Sequence, residues 1–250
     1  MGCVLSTAVG LSASLPFVLA ALAGGSPIVF CDSLGRAVLY DYGSGGMIAD
    51  SGRGWSYSFE FPPVEPGLEF LWAEAVIDVD GARTPFKSQA ESYFSDHEPE
   101  SWEQWIMEGG MSLLPSPDGM ATAMCEYWVF TGGAHGMNNT ILYRYALTGG
   151  PGSQDWVEID SRDLLADSAE LVRFSRIVCD TLEARLGPDP DMEWIQRGAG
   201  PYWENYSMLY PVPDSSGALA GFTVMFPEYG VGPYCFGQQE VFVPLSLLRP

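Results

Sequence analysis

Glu126-Tyr-Trp-Val-Phe130, Thr131-Gly-Gly-Ala-His-Gly136 and Met137-Asn-Asn-Thr-Ile-Leu-Tyr-Arg-Tyr145 form one unbroken stretch, and its reading decides the fold. Two runs rich in aromatic and β-branched residues flank six residues, three of them glycine. That is the pattern of two β-strands joined by a tight turn. Gly132, Gly133 and Gly136 read as positions that need positive φ or a close backbone approach, either of which a Cβ resists. His135, one of only two histidines, sits inside the turn.

Working towards the C-terminus, Gly149-Gly-Pro-Gly152 marks a second turn, and residues 156–159 read as a short strand. The strongest helical pattern follows. Asp167 and Glu170 open it in the manner of a capping box, and Leu171, Phe174, Val178, Leu182 and Leu186 share one face. Gly187-Pro188 ends it. Strands are expected at 206–212 and 219–226 around Pro213-Asp-Ser-Ser-Gly217. Tyr229 to Gly237 is then a glycine-rich loop before Glu240-Val-Phe-Val-Pro244.

Working towards the N-terminus, 120–130 pairs with 111–114 across Pro115-Ser-Pro-Asp-Gly119, a turn by composition. Residues 98–108 read as a loop or short helix. Two helices are expected at 67–79 and 84–94, although 75–79 also suits a strand. Trp55-Ser-Tyr-Ser-Phe-Glu-Phe61 alternates as a half-buried strand does. Gly43 to Gly54 reads as a flexible connector, and 26–31 with 37–42 as a weak strand pair. The expected fold is α+β: a mainly antiparallel sheet with one long amphipathic helix packed on it, and a smaller N-terminal α/β part. Its segments are a signal-like apolar stretch (1–23), a variable region with linker (24–54), an N-terminal subdomain (55–118) and a C-terminal domain (119–250).

Thirty-two acidic against 11 basic residues give a formal charge of −21. Such a chain repels phosphate backbones and anionic bilayers, which excludes nucleic-acid partners, and it draws in cationic ones. Met1 to Ala23 has no charged side chain and closes on Ala21-Leu22-Ala23, a signal-peptide ending that points to export, to the periplasm or cell envelope. An uncleaved membrane anchor and N-myristoylation at Gly2 are the competing readings, the former the one route to a membrane. The cysteines lack the spacing of a zinc site, and buried, unpaired thiols are the expected state of Cys125 and Cys179. Asp78-Val-Asp80-Gly81 is a fragment of a calcium loop without its remaining ligands, so neither a metal nor any other cofactor is expected.

The Thr131 to Gly136 turn, followed by Tyr229-x-x-x-Pro233-Tyr234-x-x-Gly237 and a Val-x-Val-Pro strand, resembles the extracellular domain family of the RsiV lysozyme-sensing anti-sigma factor. The same family includes the non-catalytic domain of the PdaC peptidoglycan deacetylase. This chain has Gly230 and Gly232 where the family tends to carry Glu and Ala, and Phe236 for a small residue. The resemblance implies an exported, non-catalytic binding or sensing domain for a protein or cell-wall ligand. Its partner would be a cationic protein such as lysozyme, or cell-wall material. His135, Tyr229 and Tyr234 are the candidate ligand-binding residues, with Gly132, Gly133, Gly136, Pro233 and Gly237 as the structural element of the motif. No catalytic residue is assigned: His135 has no nucleophile or metal ligand placed beside it by sequence, and locking the turn by hydrogen bonds to backbone carbonyls is its expected role. The alternative is a hydrolase acting on glycan or peptide, since 32 acids offer many carboxylate pairs.

Overall fold

The computed structural model describes residues 28–31, 37–40, 45–96, 98–100, 103–148, 155–187 and 190–249, the first two segments as backbone alone. The signal-like stretch, His97 and the 149–152 turn lie outside these residues. Strands β1 (Ile28–Cys31) and β2 (Ala37–Tyr40) form the expected antiparallel pair.

The larger unit is a six-stranded sheet of β3 (Gly46–Gly52), β4 (Trp55–Phe61), β5 (Trp105–Leu114), β6 (Met120–Phe130), β7 (Met137–Thr148) and β8 (Asp155–Glu158), in sequence order across the sheet. Every pair is antiparallel except β4 and β5. Parallel neighbours need a crossover, and helix α1 (Glu69–Tyr93) supplies it. The stretch read as a connector therefore holds an edge strand, and 105–108, read as loop or helix, is the start of β5. The sheet also runs without a break across position 118/119, the boundary expected between the N-terminal subdomain and the C-terminal domain.

Helix α1 merges the two helices expected, with Pro85 inside it. A proline in a helix interior costs about 3 kcal/mol. The buried stripe of Leu71, Trp72, Ala75, Val76, Val79, Phe86 and Ala90 continues on both sides of Pro85 and offsets that cost. Against this stripe β4 sets Trp55, Tyr57, Phe59 and Phe61, its alternate residues, all buried. The lone lysine, Lys87, ties the helix to edge strand β3, with Nζ 2.7 Å from Asp50 Oδ2 and 5.3 Å from the centre of the Trp55 ring. Asp78 and Asp80 lie on this helix and not in a calcium loop. Asp78 accepts a hydrogen bond from Tyr143, and Asp80 pairs with the buried Arg83.

The second unit is a three-stranded antiparallel sheet, β9 (Leu209–Pro213), β10 (Leu219–Phe226) and β11 (Gln239–Pro244), with β10 in the middle. Short helix α2 (Ser161–Leu164) leads into α3 (Ser168–Arg185), whose Leu171, Phe174, Val178 and Leu182 bury against Leu209, Phe222, Val224 and Val241. Asp167 caps α3 through the Glu170 N–H. The Glu170 carboxylate does not complete the expected box; it takes the Ala166 N–H and the guanidinium of Arg249. Helix α4 (Met192–Ala199) follows, capped by Asp191, and α5 (Leu245–Leu248) closes the unit. Among the described residues, no helix is long and apolar enough to cross a membrane.

Candidate functional site

The two motif stretches meet. His135, exposed at the β6–β7 turn, lies face to face with Tyr234, the ring centres 3.9 Å apart and the planes 18° from parallel. Its Nδ1 is 2.9 Å from the Gly136 carbonyl, which can only accept, so Nδ1 carries the hydrogen. The Tyr234 hydroxyl donates to the same carbonyl at 3.3 Å. Tyr229 adds a third ring, 5.7 Å from Tyr234.

The glycines serve this contact in two ways. Gly132 and Gly133 have φ of +95° and +96°, the left-handed geometry expected of them. Gly136 does not. A Cβ there would overlap the indole of Trp128, so the requirement is close approach rather than backbone conformation. On the partner loop, Pro233 precedes a short 3-10 turn (Tyr234–Phe236), and Gly237 leaves it at φ +66°. Tyr229 is the described non-glycine residue with positive φ, +66°. Its carbonyl is held by the Trp194 indole N–H at 3.0 Å. A Cβ on Gly198 would overlap the Gly230 carbonyl, so α4 and the loop touch backbone to backbone.

Beside this clasp opens a cleft of about 670 Å³ between the sheet face that α1 leaves uncovered and the loop. Register explains its lining. Ser58, Glu108, Trp128 and Asn138 stand side by side across β4 to β7, and the next row on the same face is Glu60, Gly110, Glu126 and Thr140. Neighbouring strands lie about 4.8 Å apart, so Glu60 and Glu126 flank the bare Gly110 at roughly 10 Å. The loop contributes Glu228 and Gln238. Glu228 Oε1 accepts the Asn138 amide, while Oε2 is shut off from solvent without a hydrogen-bond partner. No basic side chain lines the cleft among the described residues. A smaller hollow of about 200 Å³ continues from Asn138 and Gln238 to Met208 and Met225.

Carboxylates also gather on the opposite face of the sheet. Burial, opposed by a hydrogen bond from Tyr145 and reinforced by Glu158 and Asp78, pushes the Glu74 carboxyl above its usual range. Burial also raises the phenols of Tyr143 and Tyr145 and moves the Cys125 thiol up to about 12. Among the described residues, no group of three or more His, Cys, Asp or Glu side chains is disposed to hold a metal. Cys125 is buried and unpaired as expected, whereas Cys179 is half-buried and Cys235 is exposed.

The structure thus brings His135, Tyr229 and Tyr234 together, with Gly136, Pro233 and Gly237 shaping their contact. Sequence reasoning missed the four cleft glutamates, Trp128, Asn138 and Gln238. Glu60 and Glu126 interrupt apolar strands at solvent-facing positions, which signals a face but not the four-strand register that joins them.

No family model and no curated protein matches this chain. Among solved structures, it is similar to a DUF3298 family protein from Pseudomonas aeruginosa PAO1, at 15% identity over 82% of this chain and 89% of that one, with a TM-score of 0.45. It is likewise similar to a DUF3298 member from Bacteroides fragilis NCTC 9343, at 13% identity over 82% and 90% of the two chains, with a TM-score of 0.43.

Proposed function

We propose that this chain is an exported, non-catalytic domain of the cell envelope that binds or senses a cationic protein or cell-wall ligand, held in the acidic cleft beside the His135–Tyr234 clasp. The observation that carries the reading is the cleft itself: Glu60, Glu108, Glu126 and Glu228 converge on a space of about 670 Å³ with no basic side chain among the described residues that line it. That volume falls in the range of ligand sites. Like charges gathered on one face without counter-charge cost stability, and a bound cation relieves them.

Two measurements test it. The chain is mixed with purified cell-wall material and, separately, with lysozyme, at about 0.05 M and 0.5 M salt, alongside an unrelated cationic protein. Retention at the higher salt, weakened by Glu108→Gln with Glu126→Gln, supports the reading. Binding that the control reproduces, or that the double variant leaves intact, sinks it. N-terminal sequencing of envelope protein is expected to begin at Gly24; an intact Met1 on a cytosolic pool contradicts export.

A hydrolase is the second reading, favoured by the raised Glu74 carboxyl with Asp78 near it. Loss of any glycan- or peptide-cleaving activity in Glu74→Gln, with stability unchanged, would establish that reading in its place.

A further inference from the structure

Going beyond the binding reading, we propose that the small hollow between the two sheets binds a soft monovalent metal ion, Cu(I) or its congener Ag(I), through the thioethers of Met208 and Met225. Both methionines line this space of about 200 Å³, with Asn138, Thr140 and Gln238 beside them. Among the described residues, no His, Cys, Asp or Glu lines it, so zinc and calcium lack their usual ligands there. Thioethers are soft ligands that select Cu(I). The hollow is also smaller than the roughly 300–1,000 Å³ of a drug-sized ligand site, which favours an ion over an organic molecule.

Strand pairing sets the two methionines side by side. Leu209 of β9 pairs with Val224 of β10. The Met225 N–H donates to the Met208 carbonyl at 3.2 Å, which carries the same register one residue further. Directly opposed residues of antiparallel strands send their side chains to one face, with Cβ atoms about 5 Å apart. Two thioethers placed in this way can share one ion.

A separate observation is that neither core uses these side chains. Among the described residues, every buried apolar side chain belongs to the core under α1 or the core under α3, except Met124 and Met225. Val224 and Phe226 point into the second core, so alternation turns Met225, 2% exposed, to the other face and into the seam between the sheets. Met124 stands on the first sheet, a diagonal step from Thr140 across β6 and β7. A seam filled for packing alone is better served by Leu, Ile or Val, whose rotamers are well defined. What methionine adds is a polarisable sulfur. The acidic cleft shares Asn138 and Gln238 with the hollow and raises the local concentration of cations at its mouth.

The test is NMR of the full chain carrying labelled methionine methyl groups, titrated with Ag(I), which shares the ligand preference of Cu(I) and is stable in air. Accessible thiols are first blocked with N-ethylmaleimide, because exposed Cys235 competes for the same ion. Met208→Leu and Met225→Leu conserve side-chain volume and so keep the fold, and each assigns its methyl signal by deleting it. The Met208 and Met225 signals are expected to shift together and to saturate at one equivalent, while Met47, 61% exposed, stays in place. Either leucine variant is expected to weaken Ag(I) binding at least tenfold, and Ca(II) to move neither signal. Signals that do not shift at Met208 and Met225, shifts of equal size at Met47, or undiminished affinity in a leucine variant each overturn the site. Such a failure leaves the binding reading standing, because its assays with wall material and lysozyme involve no metal.

Discussion

The imidazole of His135 stacks on the phenol of Tyr234 at 3.9 Å, and both rings reach the Gly136 carbonyl, one through Nδ1 and one through its hydroxyl. One glycine carbonyl therefore joins the β6–β7 turn of the first unit to the β10–β11 loop of the second. Aromatic pairs of this kind contribute about 0.5–1.5 kcal/mol beyond area burial. His135→Ala and Tyr234→Ala are each expected to destabilise the fold by about 1 kcal/mol, and the double variant by less than the sum. Urea unfolding of the four proteins gives the coupling. An unchanged midpoint for His135→Ala removes the structural role and leaves the histidine free for ligand or chemistry.

The turn glycines are expected to differ in kind. Gly136→Val forces a branched side chain into the Trp128 indole, which is itself stacked on Phe130, and is expected to cost more than about 1 kcal/mol. Gly132→Ala and Gly133→Ala meet no atom within 4 Å, so their cost is conformational alone, about 1–2 kcal/mol. The indole's fluorescence distinguishes them. A shift in the tryptophan emission maximum belongs to Gly136→Val, and the same shift in Gly132→Ala would contradict this assignment.

Tyr229 carries strain that glycine does not. A non-glycine residue in left-handed backbone costs about 1–2 kcal/mol. Tyr229→Gly is expected to be at least as stable as the parent and more stable than Tyr229→Ala, by thermal denaturation. A Tyr229→Gly protein less stable than the parent would mean that the ring's packing outweighs the strain, and one less stable than the alanine variant would contradict the strain itself.

Glu170 gives the fold an acid-sensitive latch. Burial would push its carboxyl up, but the Arg249 guanidinium and the Ala166 N–H outweigh that and hold it below the usual range. A carboxylate depressed in the folded state contributes stability in full above its unfolded value of about 4.3, and loses it as pH falls through the folded value. The parent should therefore weaken below about pH 4. Arg249→Ala leaves the carboxylate, 1% exposed, without its partner. Because Arg249 is itself half-exposed, the expected cost near neutral pH is about 1–2 kcal/mol. Denaturant midpoints at pH 7 and pH 3 check it: an equal loss in Arg249→Ala at both pH values excludes the latch.

Thiol reactivity should follow burial. Exposed Cys235 is expected to be alkylated at pH 8 in the native protein. Cys125, buried with its thiol pushed up to about 12, should react only after unfolding. Peptide mapping by mass spectrometry reads both sites, and native-state labelling of Cys125 would show that its strand opens.

Much of the local structure is legible because it depends on neighbours in sequence. The alternation of Trp55 to Phe61, the glycine turn between β6 and β7, and the Asp167 cap with its apolar stripe each encode period, turn or cap within a few residues. The sequence by itself also determined the formal charge of −21. Helix α1 is broken at Pro85 in a local reading, because only packing against the six-stranded sheet offsets the proline. Gly136 needs its missing Cβ for a reason no local pattern shows, since the indole that requires it comes from the neighbouring strand. The cleft is beyond local reading altogether. Glu60, Glu108, Glu126 and Glu228 lie on four separate segments, and strand register with the docking of the second unit alone brings them to one face. Local backbone preferences act over a few residues, whereas convergence of like charges is set by long-range burial that more than compensates their repulsion.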